Sequence, residues 1–396
     1  MNRFHSYRVK DNKGAGLLLI AISYTAFISL GLPDGLLGVS WPYISARHNI
    51  PLDSLGAILI VFVGGYLSTS TISGKILERI SLGLLLALSC CVTGISLLTY
   101  AFTDHWIALL GATFFLGSGG GAIDSSINTF AASRFSPSVV NWLHAFYGVG
   151  ATGGPFIITW MFLNDREWFH GYILVGVIQV LLSGIFLLTR KKWTTTFAGH
   201  ERNYTESFSD TLKLPGFAAM VIVFFIYTGL EAGVGQWIFT ILTQSRGLVQ
   251  EQAGLHTSAY WGSLTTGRII FGFILTRLSV EKVLIAGFSG IILGSVLLAL
   301  NVNAIVSLTG IVFIGFFNAP IFPCLISLTP RRVGQAHAAN MIGLQISAAL
   351  VGSALLPGLA GIMTGYFDWE VIPVMFVIEA VLLLVFYLFS YKRKLV

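Results

Sequence analysis

Twelve long apolar stretches, each followed by a short polar one, constrain this chain more than any other feature of it. They run approximately 15–46, 52–77, 80–103, 106–133, 138–163 and 171–190, then 216–245, 251–277, 281–301, 304–329, 334–365 and 369–391. A helix crosses about 30 Å of hydrocarbon with about 20 residues, so each stretch predicts one membrane span. The charge content agrees. Of 396 residues 55% are hydrophobic and only 10% are charged, against about 25% charged in an ordinary soluble protein. So little polar surface cannot cover a soluble fold of this size. Nucleic-acid binders, disulfide scaffolds, disordered tails and cytosolic enzymes are thereby excluded. The expected fold class is all-α and integral to the membrane, with twelve transmembrane helices.

Lys and Arg give the orientation, because cytoplasmic loops carry their excess. With both termini cytoplasmic, the inside segments hold Arg3, Arg8, Lys10, Lys13, Lys75, Arg79, Arg134, Arg190, Lys191, Lys192, Arg202, Lys213, Arg277, Lys282, Arg331, Arg332, Lys392, Arg393 and Lys394. The outside loops keep Arg47, Arg166 and Arg246, and Arg268 lies within a span. The net charge of +6 is then topology rather than an anionic partner. The polar N-terminus, Met1 to Gly14, does not resemble a cleaved signal peptide. Cys90, Cys91 and Cys324 lie in apolar runs, at no metal or redox spacing, and read as packing residues.

The one long polar stretch, 191–215, divides the chain into an N-terminal six-helix bundle, 1–190, and a C-terminal one, 216–396. The two resemble each other at a fixed offset. Gly74-Lys-Ile-Leu-Glu-Arg-Ile-Ser81 and Gly272-Phe-Ile-Leu-Thr-Arg-Leu-Ser279 are 198 residues apart, as are Arg134 and Arg332. Gly31-Leu-Pro-Asp34-Gly and Gly229-Leu-Glu231-Ala-Gly sit at matching depths. Two related halves with a central site between them suit alternating access.

The run Gly74 to Gly83 resembles the loop between spans 2 and 3 of major facilitator transporters, with Glu78 for the usual Asp and Ser81 where Gly is common. In that pattern the glycine permits close helix approach, and the acid and Arg79 latch the cytoplasmic side. Within that superfamily the chain is most similar to the fucose:proton symporters and bacterial glucose/mannose relatives. The resemblance rests on Gly-Leu-Pro-Asp34-Gly, Gly-Gly-Gly-Ala-Ile-Asp124-Ser-Ser-Ile-Asn128, His144-Ala-Phe-Tyr147-Gly-Val-Gly150, Trp261-Gly-Ser-Leu-Thr-Thr-Gly-Arg268 and Pro320-Ile-Phe-Pro323. It implies carboxylates at Asp34 and Asp124 that serve proton coupling and sugar binding. Where relatives usually show Gln and Asn in span 5, this chain has His144 and Tyr147, a departure from a fucose site.

Asp34, Asp124, Glu231 and Glu379 lie within spans. A charge at the centre of a lone membrane helix costs about 2.5–3.5 kcal/mol, so such a residue pairs, faces a cavity or stays protonated. Asp34, Asp124 and Glu231 are the expected proton-coupling groups; the alternative is a protonated acid bonded to a neighbouring helix, which is the reading for Glu379. Pro33 is expected to bend span 1 beside Asp34. Asp124 and Asn128, four apart, share a helix face, as do His144 and Tyr147. The glycines from Gly117 to Gly121 suit either close helix packing or room for a ligand. Asp34, Asp124, Asn128, His144, Tyr147, Glu231, Gln236, Trp237, Trp261 and Asn318 form the expected substrate site: rings cover sugar C–H faces while amides and carboxylates bind hydroxyls. His144 equally suits helix packing. Trp41, Trp106, Trp168 and Trp369, at span ends, are expected interface anchors. Glu78, Arg79 and Arg268 are expected gating residues, Arg268 either snorkelling or pairing with an acid.

The leading expectation is a multi-pass carrier of the cell (inner) membrane, monomeric in lipid, that couples protons to symport of a sugar or similar small solute. It needs no cofactor, no metal and no nucleic acid. A proton antiporter exporting amphiphiles would use the same acids. A transport-fold receptor leaves the buried acids unused, and an enzyme would need a nucleophile motif, metal cluster or phosphate loop.

Overall fold

The computed structural model of the protein describes residues 13–193 and 207–392. Arg3, Arg8, Lys10, Arg202, Arg393 and Lys394 of the inside charges, and linker residues 194–206, lie outside the described residues. Before the linker come α1 (Lys13–Arg47), α2 (Leu55–Leu77), α3 (Leu82–Phe102), α4 (Trp106–Arg134), α5 (Pro137–Leu163) and α6 (Phe169–Thr189). A five-residue helix, α7 (Phe208–Leu212), precedes α8 (Phe217–Thr240), α9 (Gln250–Ile274) and α10 (Val280–Ala299). The chain continues through α11 (Ala304–Asn318), α12 (Ile321–Val333), α13 (Gln335–Met363) and α14 (Val371–Lys392). Among the described residues there is no strand, and 11 helical segments are long and apolar enough to cross a membrane, α11 and α12 forming one of them. The expected span at 251–277 is the helix α9, whose Glu251, Gln252, His256 and Arg268 make it too polar to be among those segments.

Short polar residues set the helix ends. Ser81 and Ser279 cap α3 and α10 by accepting from the Leu84 and Lys282 amides, so the repeated motif begins a helix at the same place each time. Asn303 caps α11 in the same way. Asn49, Asp165 and Asn301 turn the chain in the left-handed region (φ 51°, 53° and 47°), which short polar side chains tolerate.

Glycines set the packing. α1 lies on α5 so closely that a Cβ at Gly31 would fall 2.1 Å from the Tyr147 carbonyl, and one at Gly150 2.0 Å from that of Ile28. α2 and α4 meet likewise, Gly117 on Phe62 and Gly121 on Tyr66. This close approach, and not ligand space, is what the Gly117–Gly121 run supplies. α3 packs on α4 and α6; α8 packs on α13 and α14; α10 packs on α11 and α14, and α9 on α11. Helices on either side of the linker meet as α5 with α9, α2 with α13 and α1 with α8.

α1 is one continuous helix through Pro33; the proline leaves the Ser29 carbonyl without its helical partner, and the buried Gln179 of α6 donates to it at 2.8 Å. The span expected at 304–329 is one membrane segment, Ala304–Val333, interrupted at Ala319–Pro320 where α11 gives way to α12. Other expectations are corrected. Trp41 and Trp168 are buried rather than interface anchors. Trp41 donates to the Leu52 carbonyl, and Trp168 packs on Tyr172 under the Arg47 guanidinium. A Cβ on Gly74 or Gly272 would meet nothing within 4 Å, so neither glycine serves close approach in this conformation.

Candidate functional site

Three carboxylates stand midway along their helices, each with a tyrosine hydroxyl on it. Tyr147 of α5 donates to Asp34 of α1 in a short hydrogen bond. Tyr66 of α2 donates to Asp124 Oδ2 of α4 at 2.5 Å, while Asn128, one turn on, donates to Oδ1 at 2.9 Å. Tyr227 donates to Glu231 one turn along α8, and Asn318 Nδ2 reaches the same oxygen at 3.4 Å. Hydrogen bonds from hydroxyls to an ionised carboxylate are strong ones. They also survive, reversed or rearranged, when the carboxyl gains a proton.

Charge distinguishes the three. Arg268 of α9 stands 3.7 Å from Glu231 Oε1, both largely buried. Asp34 and Asp124 have no ion pair among the described residues. The pairing found for Arg268 is thus with an acid of the adjacent helix, α8. Asn318, by which Glu231 is also held, is the last residue of α11 before the break at Ala319–Pro320. Interrupted helices present polar groups to a cavity in this way.

Around α8, Gln236 Oε1, Trp261 Nε1 and Asn318 Oδ1 are buried without a protein partner, as is Thr240 Oγ1 at the end of the helix. Buried polar groups are nearly always satisfied, so two acceptors and one donor here call for a ligand or water. Gln236 Nε2 donates weakly, at 3.4 Å, to the Asp34 carbonyl, and so ties α8 to α1. The Trp261 ring fills the space over Gly235, where a Cβ would lie 2.4 Å from it. Tyr260 donates to the Glu231 carbonyl at 2.8 Å.

The other expected site residues are placed differently. Trp237 is fully buried, donates to the Pro357 carbonyl at 2.8 Å and packs on Trp369; it joins α8 to α13 rather than facing the carboxylates. His144 is exposed, its ring edge-on to Phe27 at 5.6 Å. Glu78 and Arg79 are both exposed, and neither forms an ion pair among the described residues. Glu379 is buried in α14 with Oε2 unpartnered. Tyr66, Tyr227 and Tyr260 are additions to the expected set. Their signal was a phenol inside an apolar span, which must find a partner when buried.

One end of the bundle is tied by two arginines. Arg47 pairs with Asp104 at 2.6 Å and donates to the Ala101 carbonyl at the end of α3. Arg246 pairs with Glu370 at 2.6 Å and donates to the Leu298 carbonyl near the end of α10 and to Ser307 of α11. Both complement the negative end of a helix. Arg47 holds the Asp104 carboxyl below its usual range. At Glu370 burial acts upward, but hydrogen bonds from Arg246 and Ser245, with the Arg246 charge, outweigh it and hold the carboxyl below its ordinary value. The contacts across the linker lie at this end or at mid-depth. Tyr43 donates to Gln250 at 2.5 Å, Gly56 lies against Gly358, and Gly148 against Thr265.

A model described as Major Facilitator Superfamily matches residues 19–345 and 238–395. The chain is 23% identical to the glucose/mannose transporter GlcP of Bacillus subtilis, over 85% of this chain and 86% of that one. It is also 23% identical to a putative glucose/galactose transporter of Helicobacter pylori, over 96% and 98% respectively. Two solved structures share the fold. A bacterial homologue of the human lysosomal transporter Spinster, inward-facing and unoccupied, superposes with TM-score 0.76 at 13% identity over 97% of each chain. The nucleoside transporter NupG does so with TM-score 0.71 at 15% identity, over 96% of this chain and 100% of that one. With a family model spanning nearly the whole chain, this multi-pass membrane protein belongs to the Major Facilitator Superfamily.

Proposed function

We propose that the protein is a proton-coupled sugar symporter of the cell (inner) membrane, working by alternating access. The observation that carries this reading is the central group of three hydroxyl-bonded carboxylates beside the unpartnered Gln236, Trp261 and Asn318 atoms. Sugar hydroxyls both donate and accept, and so match two acceptors and a donor; the Trp261 ring is the aromatic group beside them. The printed names of the relatives, glucose/mannose and glucose/galactose transporters, support a hexose.

Asp34 and Asp124 are the coupling groups in this reading: neither forms an ion pair among the described residues, and His144 acts on Asp124 through space. Glu231, paired with Arg268, orders the sugar site. With α9 added to the 11 apolar segments the crossings number twelve, both termini are cytoplasmic, and 1–190 and 216–396 are the two rocking halves, joined by 191–215. The Arg47 end is then the outer one. With contacts across the linker at that end, and Glu78, Arg79, Gly74 and Gly272 free at the other, the conformation is inward-facing.

The test is sugar-induced proton uptake into proteoliposomes, screened over neutral hexoses, pentoses and disaccharides with and without sodium, Asp124→Asn serving as control. The expected result is an inward proton flux with one sugar, lost in the variant. Uptake that needs sodium would replace the proton in this reading, and amphiphile-driven efflux without sugar flux would end it.

A further inference from the structure

Behind Asp34 lies a cavity of about 40 Å³ lined by α1, α2, α3, α4 and α6 and by Gln236 of α8. It reaches from Asp34 toward the Arg47 end. Tyr100 is two residues from the end of α3, Tyr172 three residues into α6, and Thr113 two turns into α4. A hexose does not fit such a space, but water, needing about 10–15 Å³ each on this measure, does.

Apart from the Gln236 amide, the polar groups facing it are acceptors. Thr113 Oγ1 donates to the Leu109 carbonyl, so in its 2.6 Å contact with Tyr100 the phenol is the donor. Ser40 Oγ donates to the Leu36 carbonyl, so in its 2.8 Å contact with Tyr172 the phenol again donates. Both phenol oxygens keep lone pairs, and their rings stack at 5.2 Å. Gln236 and Asp34 stand where the chamber adjoins the sugar site. The phenols and Thr113 offer acceptors and no free donor, a wall satisfied by molecules that donate, and water is the donor of fitting size. The remaining wall, including Ile58, Leu59, Leu97 and Leu116, is apolar. The titratable groups around Asp34 itself are Tyr147, which donates to it, and Glu231 and Asp124, which act on it through space.

We propose that this chamber holds two or three ordered waters that load Asp34 with its proton from the Arg47 side, separately from the path of the sugar. In this conformation the Arg47 end is tied by the contacts of Tyr43 with Gln250 and of Gly56 with Gly358. Loading belongs to the other conformation. This inference rests on the proposed proton coupling, and the experiment separates the two. Net proton-driven sugar uptake requires reloading of Asp34 in each cycle, whereas sugar exchange by a carrier that stays protonated does not.

Tyr100→Phe/Tyr172→Phe removes both phenol oxygens at constant ring volume, and Ile58→Phe fills the chamber. Both are measured in sodium-free proteoliposomes for net uptake and for exchange, with an external pH series. The expected result is a fall of tenfold or more in net uptake with exchange within twofold of wild type, and recovery of net uptake as the outer medium is acidified. Net uptake unchanged in both variants overturns the chamber. Equal loss of exchange and net uptake also overturns it, as a packing defect. Wild-type uptake that moves no protons overturns the coupling on which it rests.

Discussion

Taking the charge from Arg268 alone leaves Glu231 in a largely buried place with only Tyr227 and Asn318 to hold it. Breaking one side of a buried pair costs more than removing both, because the orphaned charge keeps its desolvation penalty. Arg268→Gln and Glu231→Gln are therefore each expected to destabilise the purified protein by about 3 kcal/mol, at the low side of that effect, while the double variant recovers most of it. A double-mutant cycle of melting temperatures checks this; additive losses would mean that the 3.7 Å pair carries no coupling. At Tyr66 the same logic gives a smaller effect. Tyr66→Phe removes one of two donors to Asp124, worth about 1.5–3 kcal/mol for a bond to a charged group. It should shift the acid limb of the transport pH profile more than the sugar affinity. The acids themselves were legible, since any carboxylate inside an apolar span demands a partner. Their partners were not: Tyr147 and Tyr66 lie on other helices, 113 and 58 residues away, and an isolated sequence does not say which helices touch. Trp237 was misplaced for the same reason, its neighbour Gln236 facing Asp34 while the indole turns to Pro357.

At the scale of helices, glycines and charges at the ends decide what can move. Gly150→Ala places a methyl 2.0 Å from a backbone carbonyl that cannot yield, so α1 and α5 must separate and the variant should lose folded yield. Gly74→Ala meets nothing and should leave the melting temperature unchanged, yet slow transport if the inner ends close on that face. Size-exclusion recovery and uptake rates on the two variants distinguish a packing glycine from a cycling one. The clamp on α8, α10 and α11 predicts a pH dependence. Glu370 has a lowered carboxyl pKa when folded, so its contribution is full above the unfolded value of about 4.3 and fades as pH falls through the folded value. Glu370→Gln should lower the melting temperature at neutral pH, with the gap closing below about pH 4; a gap constant with pH would exclude the ion pair as its source. Span positions were readable because hydropathy and length determine them together. The break at Ala319–Pro320 was not, since Pro320 and Pro323 are compatible with either a kinked or an interrupted helix.

Over the whole molecule, the repeat at 198 residues and the uneven Lys and Arg were visible in sequence because each loop reports on its own side of the membrane. The conformation was not. A carrier encodes two states of similar energy, and one sequence specifies both. Which is populated depends on contacts such as Tyr43 with Gln250 and Gly56 with Gly358 at the Arg47 end, and on the latch proposed for Glu78 and Arg79, which form no ion pair among the described residues. This gives a prediction about the cycle rather than about any one group. With Cys90, Cys91 and Cys324 replaced by Ala, a cleavable bis-maleimide across Tyr43→Cys and Gln250→Cys should hold the Arg47 end shut. A third cysteine at Gly343, where a Cβ meets nothing within 4 Å, should then stay reactive to a bulky thiol reagent from the opposite side. Net uptake and exchange should both stop, since each needs the outer end to open, and both should return when the linker is cleaved. Sugar that still crosses with the link intact would mean that the closed end is not a gate. The Tyr43–Gln250 contact would then be mere packing, and the opening that admits sugar would have to lie elsewhere between α5 and α9 or between α2 and α13.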